Sequence, residues 1–103
     1  MQGDPHDLFS GLIRIHVLHH AAQEELFGLG LIEELQQHGY HLSPGTLYPM
    51  LHSMEAKGLL RSRIRRVAGR NRRVYRATLR GKTALRDATE RVGELLRELI
   101  EGH

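Results

Sequence analysis

Three groups of side chains in this 103-residue chain have types and spacings that suit chemistry. The first is His16-Val17-Leu18-His19-His20, in a sequence that holds eight histidines. On a helix, His16 and His20 stand one turn apart on the same face, and His19 is reachable from His16. Imidazoles at this spacing chelate a divalent transition metal of the zinc, nickel or cadmium class. Two ligands do not make a tight site, so a third is needed from Glu24, Asp7, the last helix or a second subunit. Such a metal would be an effector, since nothing else in the sequence requires a cofactor; the alternative is a divalent-metal-binding protein or metal-responsive sensor built on these histidines. The same residues also suit a plain polar helix end, where protonated histidine complements the dipole, or an interface that titrates near about pH 6.5. His38, His41 and His103 read as turn and terminus residues.

The second group is the run RSRIRRVAGRNRRVYRATLRGK, residues 61 to 82, which carries ten of the fifteen Lys and Arg and no acid. All twelve acids lie elsewhere, so the overall charge of +3 conceals one strongly basic segment on an otherwise acidic chain. Such a block must repel itself in solution or face a polyanion, and nucleic acid is the expected partner, double-stranded DNA ahead of RNA because only Tyr75 on the hairpin could stack on bases. Arg65, Arg66, Arg70, Arg72 and Arg73 are the candidate phosphate contacts.

The third group lies in LSPGTLYPMLHSMEAKGLL, residues 42 to 60. Ser43 suits an N-cap and Pro44 a first helical position, where a missing N–H costs nothing. Leu47, Met50, Leu51 and Met54 then share one side, which turns Gly45, Thr46, Tyr48, Pro49, His52 and Ser53 toward the other. Ser43, Gly45, Thr46, Tyr48, His52 and Ser53 are therefore candidate DNA contacts. None is an arginine, asparagine or glutamine, the residues that read purines in pairs of hydrogen bonds, so specificity should depend partly on DNA shape. Pro49 should cost the carbonyl of Gly45 a hydrogen bond and bend the helix.

Other chemistries are excluded. Without cysteine there is no disulfide, thiolate zinc site or thiol nucleophile, and a reducing compartment fits. No Gly-rich phosphate loop follows a strand and no spacing suggests a Ser-His-Asp arrangement, so an enzyme is not expected. No apolar run approaches the roughly 18 residues of a membrane span, and Met1-Gln2-Gly3-Asp4-Pro5 lacks the layout of a signal peptide. The chain reads as cytoplasmic.

The elements that must position these groups follow from the apolar spacing. A first helix is expected from Asp7 to about Ala22 after the capping pair Asp4-Pro5, with Leu8, Phe9, Leu12, Ile13, Ile15, Val17 and Leu18 recurring mainly at three and four. A second runs from about Phe27 to Gln37 and stops at Gly39, with Gly28 and Gly30 allowing close helix packing. The third spans about 43 to 57. Two arginine-rich runs, 60 to 67 and 72 to 77, flank a turn and make a two-stranded hairpin. Thr78 should cap a last helix to about Ile100. In it Gly81, Leu85, Ala88, Val92, Leu95 and Leu99 step by four and three, a heptad seam for a homodimer or else the inner face of one amphipathic helix folded back on its own domain, with Leu96 and Ile100 reaching a second surface.

The expected architecture is mainly α with a small β-hairpin: a winged helix-turn-helix domain over residues 1–80 and a C-terminal dimerisation helix over 79–103, in one compact unit. In such a domain the third helix enters the major groove and the hairpin follows the backbone.

Ser43, Gly45-Thr46-Leu47-Tyr48-Pro49, Leu51-His52, Glu55 and Gly58-Leu59 resemble the recognition-helix signature of PadR-like transcriptional regulators. Tyr75, Thr78 and Gly81 resemble that family's exit from the wing, and the single C-terminal helix its smaller subgroup. The resemblance implies a dimeric winged-helix regulator, usually a repressor, on a pseudo-palindromic operator and released by a small molecule or another signal. It gives Ser43, Thr46, Tyr48 and the arginines around Arg72 and Arg73 the DNA-contacting role. The chain departs from the pattern at Phe27-Gly28-Leu29-Gly30, Ser53 and Leu79. Lacking tryptophan, it also lacks the device by which some members sandwich flat aromatic ligands.

Overall fold

The computed structural model describes residues 5–102; the expected cap at Asp4, the residues before it and His103 lie outside the described residues. The chain runs α1 (Pro5–Gln23), β1 (Leu26–Phe27), α2 (Gly28–Gln37), α3 (Pro44–Ala56), β2 (Leu60–Val67), β3 (Arg70–Ala77) and α4 (Leu79–Glu101). Each helix sits within a few residues of its expected place. The sheet differs: it has three strands in the order β1-β3-β2, because Leu26 and Phe27 pair antiparallel with Tyr75 and Val74. Phe27 thus lies in a strand and not at the start of the expected second helix, and the sheet is one strand larger than the expected hairpin.

Two helices end by the same device. Gly39 and Gly58 have φ of +89° and +79°. After α2, Gly39 N–H donates to Gln36 O and Tyr40 N–H to Leu35 O; after α3, Gly58 N–H donates to Glu55 O and Leu59 N–H to Met54 O. This pattern satisfies orphan carbonyls and turns the chain sharply, and a left-handed residue at that point favours glycine. The first turn leads into α3 and the second into β2, so both sides of α3 are tightly specified.

The β2–β3 hairpin closes through Ala68 and Gly69, both at positive φ, with Val67 paired to Arg70. Two left-handed residues match the twist of the strands, although Ala68 costs more there than Gly69. At the other end of β3, Thr78 caps α4: its hydroxyl accepts from Gly81 N–H at 2.9 Å and donates to Gly58 O at 2.6 Å.

The core is one cluster. Ile13, Val17, Leu18 and Ala21 of α1 meet Leu31 and Leu35 of α2, Leu47, Leu51 and Met54 of α3, and Leu60, Tyr75 and Ala77 of the sheet. The buried side of α3 is therefore the expected one. Beyond Leu85 and Ala88, both half-buried, α4 leaves the core, and Val92, Leu95, Leu96, Leu99 and Ile100 are exposed within the chain. Leu8 and Leu12 of α1 are exposed as well. Among the described residues no helix is long and apolar enough to cross a membrane.

Candidate nucleic-acid interface

Helix α3 begins where Ser43 leaves extended backbone (φ −83°, ψ 161°) and Pro44 takes the first turn. The carbonyl of Ser43 accepts from Thr46 N–H and Leu47 N–H, both at 3.0 Å. Its hydroxyl makes no cap bond to the backbone and instead donates to Thr46 Oγ1 at 3.3 Å. Pro49 lies inside the helix, which continues past it to Ala56.

Gly45, Thr46, Pro49 and His52 form the exposed strip of this helix, with Ser43 at its start. Tyr48 is not part of it to the extent expected. Its side chain is half-buried and packed against the core, and its ring leans on α2 where Gly28 leaves room. A Cβ at Gly28 would meet the Tyr48 hydroxyl and lie 2.5 Å from Cζ, so the close packing expected at the paired glycines is realised at Gly28. Ser53 is half-buried as well.

The hairpin stands beside this helix. Residues that oppose one another share a face of the ladder, so Leu60, Ser62, Tyr75 and Ala77 look toward the helices while Arg61, Arg63, Arg65 and Arg76 look away. Tyr75 is almost wholly buried, and burial pushes its phenol above its ordinary pKa. On the inner face Arg73 donates to Ser62 Oγ at 3.0 Å and Ser62 donates to Glu55 Oε2 at 2.8 Å. This relay joins the wing to the far end of α3, so the two elements are held at a fixed separation.

On the outer face one carboxylate organises the arginines. Glu25 accepts two bonds from Arg63, at 2.7 and 2.9 Å, and one from Arg65 Nη1 at 3.1 Å. Hydrogen bonding by Arg63 is the main reason its carboxyl is held below the usual range, and the charges of Arg63, Arg65 and Arg76 act in the same direction. Arg72 lies 4.8 Å over the ring of Phe27. Arg66 and Arg70, the exposed pair flanking the turn, have no side-chain partner among the described residues. The sequence-expected arginines thus divide into three positioned by neighbours (Arg65, Arg72, Arg73) and two open at the tip. Glu25 was missed because an acid between two helices reads only as a break, and its arginine partners lie 38 and 40 positions away in sequence.

The histidines converge differently from the expected pattern. His16 and His20 do share a face, but their third neighbour is His38, the C-cap of α2, and the ligating nitrogens of the three lie within 4.8 Å of one another. His38, expected to be a simple turn residue, is therefore part of the cluster. His19 points elsewhere and contacts Gln23 at 3.4 Å. Glu24 does not join, and the side chain of Asp7 lies outside the described residues. Burial, followed by the neighbouring His38, His20 and His19, lowers the pKa of His16; Glu34 opposes them.

A family model described as the transcriptional regulator PadR-like family matches residues 17–87. A transcriptional regulator of Mycobacterium tuberculosis is 54% identical over 90 residues, 87% of this chain and 84% of that protein. Among solved structures, a PadR family transcriptional regulator from Eggerthella lenta superposes with a TM-score of 0.81 at 28% identity, over 92% of this chain and 84% of that one. A transcriptional regulator from Streptococcus gives 0.83 at 25% identity, over 92% and 94%.

Proposed function

This chain belongs to the PadR-like family of transcriptional regulators, and from that premise we propose that it is a homodimeric repressor that binds a pseudo-palindromic operator and responds to a small effector or a metal ion. The observation that carries the DNA reading is the exposed strip of α3 beside a hairpin of eight arginines and no acid. Insertion of Gly45, Thr46 and His52 into a major groove brings the hairpin over the adjacent backbone, where Arg66 and Arg70 meet phosphates. Affinity then comes largely from counterion release, and discrimination from the few hydroxyl and imidazole contacts of α3.

The homodimer is supported by the apolar face that one chain leaves uncovered. Val92, Leu95 and Leu99 of α4 continue the side on which Leu85 meets α1, and Leu12 and Ile15 of α1 line the same groove. A second copy that lays its α4 there would bury both faces and relate two α3 helices by a two-fold axis. Half-sites would then recur about one DNA turn apart, roughly 34 Å.

The protein is a regulator of transcription and not an enzyme; as an alternative to an organic effector, a metal-responsive sensor is favoured by the convergence of His16, His20 and His38. Footprinting of the purified protein on its own upstream DNA, with light scattering at micromolar concentration, tests both halves. A protected pair of half-sites and a dimer mass are expected. Equal affinity for that DNA and for random duplex refutes operator recognition, and a monomer mass refutes the dimer.

A further inference from the structure

Two pairs of metal-capable side chains face each other across α1 and α2. His16 and His20 are one turn apart on α1, and Glu34 of α2 precedes its C-cap, His38, by four residues. Glu34 Oε2 lies 3.5 Å from His38 Nε2 and 3.8 Å from His20 Nε2. The rings of His16 and His38 stack at 4.7 Å and those of His16 and His20 at 6.4 Å. His20 Nε2 is buried and accepts or donates no hydrogen bond among the described residues. Three imidazoles thus converge, and the carboxylate of Glu34 stands beside two of them.

We propose that His16, His20, His38 and Glu34 form a binding site for a divalent transition metal, with zinc as the best-matched ion. Four N and O donors suit the tetrahedral preference of zinc, at about 2.0 to 2.2 Å from each ligand. Donors so placed stand about 3.3 Å apart, so the present spread of the three imidazole nitrogens, up to 4.8 Å, closes through side-chain torsions, and Glu34 joins from its place beside His20 and His38. The ion gives the buried His20 nitrogen a partner. One carboxylate against a double charge leaves a net positive site, and imidazole donors favour zinc, nickel or copper over calcium and magnesium.

The site has a mechanical consequence. Metal binding ties the C-terminal half of α1 to the end of α2, immediately before the turn that leads into α3. His16 also lines the groove between α1 and α4 with Leu12, Leu85 and Val92, the face assigned above to the second subunit. Zinc therefore fixes how α3 is carried relative to the dimer, a step that rests on the DNA-binding reading, whereas the site itself does not.

The test is zinc titration of the full-length, tag-free protein by calorimetry, repeated on His38→Ala, Glu34→Gln and His19→Ala, with circular dichroism of each metal-free variant. One zinc per chain is expected for the parent, with affinity falling by more than about tenfold in His38→Ala, less in Glu34→Gln and not at all in His19→Ala. If His38→Ala does not fold, His38→Gln replaces it. A visible absorption spectrum typical of four-coordinate cobalt(II) should appear on cobalt addition and be lost in the His38 variant. Unchanged affinity in the His38 variant, equal loss in His19→Ala, or displacement of zinc by calcium overturns the site. Operator binding measured with and without zinc separates the readings. Zinc bound with unchanged operator affinity removes the mechanical step, and no operator binding in either state refutes the DNA reading while the zinc isotherms still judge the site.

Discussion

Arg66 and Arg70 flank the hairpin turn, are exposed and have no competing partner among the described residues, whereas Arg63 and Arg65 are already held by Glu25. Replacing the open pair with glutamine should therefore remove two phosphate contacts per wing and leave the fold intact. Each phosphate neutralised on duplex DNA adds about −0.9 to the slope of log affinity against log salt. Two contacts are then worth about 1.8 in slope per wing, and about 3.6 in a dimer. Relative to molar salt, a single wing at 0.1 M loses about 1.8 log units of affinity, roughly 60-fold. Fluorescence anisotropy with labelled operator and random duplexes from about 0.05 to 0.3 M salt reads both quantities. The two duplexes should lose slope together, because phosphate contacts carry no sequence information. Thermal unfolding should move within about 0.5 kcal/mol, as for other exposed substitutions. An unchanged slope refutes the assignment, as does an equal effect from Arg97→Gln on the distant part of α4.

Other substitutions test the supports of this surface. Glu25→Gln should release Arg63 and Arg65, so at pH 7 its operator affinity rises and its salt slope steepens; unchanged binding would mean the outer face is not near DNA. Because the folded-state pKa of Glu25 is lowered, the stability it contributes is present above about 4.5 and is lost as pH falls through the lowered value. The melting difference between parent and variant should accordingly vanish on acidification, and a difference that grows toward low pH contradicts the ion pair. Gly81→Ala would drive a Cβ into the carbonyl oxygen of Leu59, the acceptor for Thr78 N–H, and to 3.3 Å from Leu18 Cδ2. Overpacking of about 1 to 3 kcal/mol, together with the lost bond, outweighs a helix-propensity gain of about 1 kcal/mol, so the melting temperature should fall; a rise would show that α4 does not seat against Leu59 and Leu18 as described. Val92→Glu with Leu95→Glu should convert the dimer to a folded monomer by light scattering, and a persisting dimer places the interface elsewhere.

The helices were legible because their apolar residues repeat at three and four and their ends carry Ser43-Pro44, Gly39, Gly58 and Thr78. The same spacing identified Leu47, Met50, Leu51 and Met54 as the buried side of α3. What was not legible depends on contacts distant in sequence. A two-residue strand such as β1 has no alternation to detect, and only the register with Tyr75 and Val74 makes it one. Tyr48 lies at the border of its helix, and periodicity alone cannot tell that a glycine on another helix has left space for its ring. His38 looked like a turn residue because its histidine partners, His20 and His16, are eighteen and more positions away. The i,i+4 pair His16 and His20 was visible; the matching pair Glu34 and His38 was equally visible as a spacing, but only the packing of α2 on α1 brings the two together.

Helix α2 has a role that neither its composition nor its exposure suggests. It contributes nothing to the exposed strip of α3 and carries no arginine, yet it is gripped at both ends. At its start Gly28 lies beneath Tyr48, whose ring can approach only because no Cβ intervenes. At its finish His38 stacks on His16 of α1, and Glu34 reaches His20. A rotation of α2 about its own axis would drive its backbone into the Tyr48 ring at one end and separate the histidines at the other. Packed interiors resist such deformation and instead move between discrete arrangements. The short turn from His38 to Leu42 passes any displacement directly to Ser43 and Pro44, and Leu42 is itself in the core. The Arg73–Ser62–Glu55 relay then carries it from α3 to the wing. An ion at the proposed histidine site would therefore act on DNA binding through α2, without touching either DNA-facing element.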